Sequence, residues 1–264
     1  MAISGGKNIS EAIIMIDEET KRKLRELNLE PVIDILKVQE HDPGTLLEPF
    51  DERMKAVTDH LYQTKNNAKI QRLEKRARFR FPHADYTSIV YDERELDRNR
   101  IQSLMTCSFM TTSTNVIFQG YTGSGKTYLA CALGKAACSH LYRTRYIRVP
   151  DLLNEYIDAV TLSREKGQKV LKKYASYQLL ILDEWLMDDL TDQESYFIFE
   201  LVERRYETAS TVFCTQYRRG DWLDRLKISV RGDAITDRLV HNAIWVETGK
   251  TDMREYYAKR NHLE

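Results

Sequence analysis

Residues 118–134 read FQGYTGSGKTYLACALG, and this stretch constrains the fold more tightly than any other in the chain. Gly120, Gly125, Lys126 and Thr127 complete the pattern G-x-x-x-x-G-K-[ST]. The apolar run NVIFQ precedes it and TYLACALGKAAC follows, with Gly134 as the sole helix breaker. The order is therefore strand, glycine loop, helix. Glycine allows the positive φ and the close backbone approach that such a loop needs. Successive N–H groups and the helix N-terminus then make a cradle for anionic oxygens. Residues 120–128 (Gly120, Tyr121, Thr122, Gly123, Ser124, Gly125, Lys126, Thr127 and Tyr128) are expected to hold a nucleotide. Lys126 would reach the β- and γ-phosphates, and the Thr127 hydroxyl would hold Mg2+.

A strand–loop–helix unit implies a sheet to carry it. Five short β-branched or aromatic runs, NVIFQ, TRYIRV, YQLLILD, TVFCTQY and AIWVE, alternate with longer amphipathic stretches from residue 115 onward. That alternation predicts an α/β fold with a mostly parallel five-stranded sheet. Pro150, just after the second run, suits the first turn of a helix. The chain before residue 80 reads as helices, with Leu24, Leu27, Val32, Ile35 and Leu36 at helical spacing and Pro31 marking a break. Phe50, Met54, Val57 and Leu61 continue the pattern. The expected division is a helical domain over 1–80, a connecting segment over 81–114, and the α/β domain over 115–264.

The run LLILDEW ends in Asp183-Glu184, 57 residues after Lys126. Continuous apolar runs read as buried parallel strands, and ligands lie at their carboxyl ends. Asp183 is expected beside the ion held by Thr127, and Glu184 facing the γ-phosphate, where it would orient or deprotonate a water. A carboxylate directly after the metal aspartate favours hydrolysis of ATP over transfer to a small-molecule hydroxyl. The next strand ends in Thr215-Gln216, which reaches the γ-phosphate only if that strand lies between the other two. Arg238 lies on an expected helix entering the last strand, where an arginine serves either as a charge-stabilising finger or as a surface ion pair.

Lys plus Arg equal Asp plus Glu at 40 each, so net charge excludes no partner. The distribution is uneven. Residues 1–64 carry eight basic and thirteen acidic side chains, and residues 65–80 carry seven basic and one acidic. Lys65, Lys69, Arg72, Lys75, Arg76, Arg78 and Arg80 form the first basic stretch, and Arg164, Lys166, Lys169, Lys172 and Lys173 a second. Either is a salt-sensitive contact to DNA phosphates or a solvated face. No zinc finger, helix-turn-helix or other base-reading motif is visible. The four cysteines lack metal or redox spacing and read as buried structural thiols. No signal peptide or transmembrane span is evident, so a cytoplasmic protein without a membrane partner is expected.

Several segments, in order, resemble the insertion-sequence ATP-binding (IstB) family, transposition helper ATPases related to the DnaC helicase loaders. They are KRKLRELNLEPVIDIL, RLEKRARFRFPHADYTSI, GYTGSGKTYLACALGKAAC, LLILDEW, ERRYETASTVFCTQY and AITDRLVHNA. The resemblance implies an AAA+ P-loop NTPase core without a separate C-terminal lid domain. It implies that Thr215 is the sensor, that Arg238 is an arginine finger, and that Arg254 stands in for a lid arginine. It further implies ATP with Mg2+ as cofactors and a homo-oligomer joined through ATP-bridged interfaces. Such an oligomer would assemble on double-stranded DNA and present the target to an IstA-type transposase. A DnaC-like helicase loader is the alternative.

Overall fold

The computed structural model describes residues 16–91, 94–226, 239 and 242–261. Two compact units divide at Lys69 and Ile70. Within the first, helices α1 (Glu18–Glu26) and α2 (Glu30–His41) flank a break at Leu27–Leu29, where Asn28 turns with φ +56° and Pro31 opens α2. The Asp17 carboxylate caps α1 by accepting from the Thr20 amide at 2.6 Å. A short turn, α3 (Pro43–Leu46), leads to α4 (Phe50–Ala77), whose 28 residues make a rod of roughly 42 Å at the usual helical rise.

The division falls inside α4, earlier than the sequence boundary near residue 80. The cause is packing. Ala77 and Phe79 are buried in the core of the second unit together with Ala84, Ile89, Leu96 and Ile101. Gly134 fits this arrangement, since a Cβ there would collide with the Phe79 ring.

The second unit is built on strands β1 (Asn115–Gln119), β2 (Thr144–Arg148), β3 (Leu179–Asp183), β4 (Ser210–Thr215) and β5 (Ala243–Glu247). Their order is β2-β3-β4-β1-β5, and all four pairings are parallel. Side chains alternate between the faces. Val116, Phe118, Ile181, Val212 and Cys214 join a core with α5 (Arg98–Met105) and α6 (Lys126–Ser139). Ile117, Ile147, Leu180, Leu182 and Phe213 join the other, with α7 (Val149–Leu162), α8 (Arg164–Ala175), α9 (Asp192–Arg205) and α10 (Asp221–Leu226). Helix α11 (Met253–Asn261) follows β5.

Register decides which residues meet at the carboxyl edge. Arg148 lies beside Asp183, and Gln119 beside both Thr215 and Glu247. Beneath that edge Trp185, Phe213, Trp222 and Trp245 form one aromatic cluster, with successive ring centroids 4.6–5.8 Å apart. Arg205, at the end of α9, is buried with no carboxylate paired to it among the described residues. It donates to the carbonyls of Tyr174, Ala175, Tyr177 and Ser210 and to the Thr211 hydroxyl. Burial lowers its pKa to about 9. All four cysteines are buried and free, as expected of structural thiols.

Candidate nucleotide-phosphate site

The glycine loop leaves β1 and enters α6 by way of two left-handed residues, Gly123 and Gly125, each at φ +84°. A Cβ at Gly123 would strike the Asp252 carboxylate, and one at Gly120 would strike the Thr248 hydroxyl. The loop is thus packed from behind by the chain that follows β5. Ser124 Oγ lies 2.6 Å from Thr248 Oγ1, both buried, and the Met253 amide donates to Gly123 O at 2.9 Å. The loop and the start of α6 border a cavity of about 490 Å3. Thr122, Gly123, Gly125, Lys126, Thr127 and Tyr128 line it, and Ser124 turns away toward Thr248.

Lys126 Nζ donates to the carbonyls of Gly120 and Tyr121 at 2.7 Å each. Burial lowers its pKa, with Cys214 and Asp183 acting against that shift. Thr127 Oγ1 donates to Asp183 Oδ2 at 2.9 Å, so the helix start and the end of β3 meet as the sequence predicts. Two oxygen donors with a carboxylate suit a hard divalent cation such as Mg2+. Among the described residues no group of three or more His, Cys, Asp or Glu forms a separate metal cluster.

Asp183 is held by more than the sequence foretells. Tyr146 Oη, from β2, donates to Asp183 Oδ2 at 2.7 Å, and the Glu184 amide donates to Oδ1 at 3.0 Å. Burial, and then the neighbouring carboxylate, push the Tyr146 phenol upward, so it stays a donor. Glu184 takes a left-handed turn at φ +57°, a strained conformation for a non-glycine residue. Its carboxylate accepts from Arg148 Nη2 at 2.7 Å and lies 3.6 Å from Arg80 Nη1. Arg80, grouped by sequence with the basic stretch, is thereby placed in the cavity wall.

The strand order puts β4 between β3 and β1, the condition under which Thr215 and Gln216 matter. Both line the cavity. Thr215 is buried and donates to Trp185 O at 3.1 Å, whereas Gln216 Oε1 accepts from Thr122 Oγ1 in the loop at 3.4 Å. Arg254, at the start of α11, lines the cavity too. Apolar or aromatic side chains of Phe81, Ile89, Val90, Tyr128, Met253 and Tyr257 line it as well. Arg94 donates from Nη2 to Ser124 O at 2.8 Å and to Thr248 O at 3.2 Å. Arg94, Tyr146 and Arg148 were not singled out in the sequence, where no motif marks them. Arg238 lies outside the described residues.

Of the basic stretches, Lys65, Lys69, Arg72, Lys75, Arg76, Arg78 and Arg80 are all exposed. Lys65, Lys69, Arg72 and Arg76 recur at spacings of four, three and four along α4, which places them on one stripe of that helix. In the second stretch Lys169 pairs with Glu165 and Lys173 with Glu155, while Arg164, Lys166 and Lys172 are exposed and make no ion pair among the described residues. No described helix is long and apolar enough to cross a membrane.

Comparison with known proteins agrees with this geometry. A protein of Sinorhizobium fredii, assigned by its name to the insertion sequence ATP-binding proteins, is 28% identical over 91% of this chain and 96% of its own length. The corresponding IS21 protein of Pseudomonas aeruginosa is 33% identical over 56% of this chain and 55% of its own. Among solved structures, a DNA replication initiation factor matches with a TM-score of 0.53 at 20% identity, covering 69% of this chain and 54% of that one. A DnaC helicase loader matches with a TM-score of 0.50 at 21% identity, covering 59% and 94%. At such identities these two show a likeness of fold alone, an α/β fold around a five-stranded parallel sheet. The model of the IstB-like ATP binding proteins matches residues 22–261, nearly the whole chain, and the protein belongs to that family.

Proposed function

We propose that this protein is a Mg2+-dependent ATPase that helps transposition by assembling on DNA. The observation that carries the proposal is the meeting of Lys126, Thr127, Asp183 and Glu184 around one cavity at the carboxyl edge of the sheet. Loop amides and Lys126 bind the triphosphate, and the apolar and aromatic side chains of the lining receive the base. Mg2+ bound at Thr127 and Asp183 supplies charge neutralisation at the phosphates. Glu184 takes the proton of the attacking water as its oxygen bonds to the γ-phosphorus and the bond to the β-phosphate oxygen breaks. Thr215 or Gln216 reads the γ-phosphate, Gln216 being favoured because it faces Thr122.

Arg238 completes the site of a neighbouring copy, so ATP joins subunits and hydrolysis releases them. The oligomer binds double-stranded DNA through phosphate contacts from the exposed basic residues, without reading sequence. It hands the target to an IstA-type transposase, a role supported by the insertion-sequence relatives. The test is a mixing experiment. Arg238→Ala and Glu184→Gln are each expected to bind ATP and hydrolyse it poorly, and a mixture is expected to regain part of the turnover. No recovery on mixing would refute a finger acting between subunits.

A further inference from the structure

We propose that Arg94 is a second cation of the nucleotide site, carried in by the connecting segment to bind the polyphosphate alongside Lys126. The proposal rests on the nucleotide reading above. Its basis is a charge held by carbonyl oxygens rather than by a carboxylate among the described residues. Arg94 lines the same cavity as the loop. Nη2 is occupied by the carbonyls of Ser124 and Thr248, and Nη1 lies 3.2 Å from where a Cβ of Gly125 would sit. No carboxylate among the described residues pairs with it, and Nε is buried without a partner. Carbonyl dipoles satisfy hydrogen bonds but do not neutralise a desolvated cation, which remains expensive to hold.

The position is built rather than accidental. The Arg94 amide donates to Tyr91 O and its carbonyl accepts from the Leu96 amide, with Leu96 buried behind. Gly249, at φ +76°, packs against the same turn, where an added Cβ would meet the backbone nitrogen of Glu95 at 3.2 Å. The guanidinium is therefore held against the start of α6, where phosphate oxygens are cradled. Burial lowers its pKa, yet an arginine keeps its proton at neutral pH, so the charge persists. A polyphosphate is the anion of matching sign and place.

A structural clamp and a phosphate ligand predict different effects of removing the charge. For Arg94→Gln in the full chain, ADP affinity by calorimetric titration is expected to fall roughly ten- to hundredfold. The melting temperature of protein stripped of nucleotide is expected to stay level, since the glutamine amide still offers a donor to the carbonyls of Ser124 and Thr248. Arg94→Lys should recover part of the affinity. Unchanged ADP affinity in Arg94→Gln would overturn the proposal. So would a lower melting temperature of the stripped protein combined with no rescue by Arg94→Lys, which marks a clamp. Lys126→Ala separates this from the broader reading. If Lys126→Ala also binds ADP normally, the nucleotide site itself is wrong; if only Arg94→Gln does, this inference alone fails.

Discussion

Arg148 Nη2 stands 2.7 Å from Glu184 Oε2, and Arg80 Nη1 stands 3.6 Å from the other oxygen of the same carboxylate. The pair joins the last residue of β2 to the residue after β3, made neighbours by the register of Arg148 with Asp183. The Glu184 carboxylate is about a quarter exposed, so the contact is worth less than a fully buried one. It nonetheless occupies the oxygens that a water would need. Removing it by Arg148→Ala is expected to raise basal phosphate release without DNA by a few-fold, on the order of the exposed-pair energy of up to about 1 kcal/mol. Unchanged or slower release would show that the pair does not restrain Glu184.

Glu184→Gln removes the proposed base and keeps the shape. Turnover is expected to fall by roughly 10²–10⁴-fold with ADP affinity intact. A variant that hydrolyses ATP at the normal rate would assign the proton transfer elsewhere.

Tyr146→Phe deletes one of the donors that orient Asp183. Partners behind a metal ligand typically contribute about 10- to 100-fold in metal affinity. The expectation is a weaker Mg2+ dependence of ADP binding, read by titrating Mg2+ against the ADP-bound protein. ADP binding in EDTA should be unchanged. A loss of equal size in EDTA would point to a folding defect instead.

Arg205→Leu is expected to destabilise the fold by roughly 3–5 kcal/mol, because several buried acceptors lose their donor at once. Urea unfolding monitored by circular dichroism measures this directly, and a change below about 1 kcal/mol would contradict the role assigned to the network.

Burial pushes the thiols of Cys107, Cys131 and Cys138 up to about 11. Only the thiolate reacts, and below that pKa its population falls tenfold per pH step. At pH 8 native protein should therefore react with iodoacetamide about a hundredfold more slowly than protein in urea. Rapid labelling of native protein would mean that these thiols are reached by solvent.

Local patterns were the legible part. The glycine loop, Lys126, Thr127 and the Asp183-Glu184 pair announce themselves because each requirement is met within a few residues. The five strands were equally plain, each a short apolar run. Thr215 was legible only conditionally, since its value depends on β4 lying between β3 and β1. Tyr146, Arg148 and Arg94 left no mark, because strand order, register and a turn in the connecting segment bring them to the site. Residues 70–80 read as a continuation of the preceding helices for a related reason. Their helical pattern continues unbroken, while Ala77 and Phe79 pack onto a core formed far along the chain.

The chain has three tryptophans, and all three sit in the cluster under the carboxyl edge. Trp185 directly follows Glu184 and accepts the Thr215 hydroxyl on its carbonyl. Tryptophan emission therefore originates from one cluster, which includes the residue directly after Glu184. A nucleotide bound at the proposed site is expected to alter that emission, which gives an optical readout of occupancy without an attached dye.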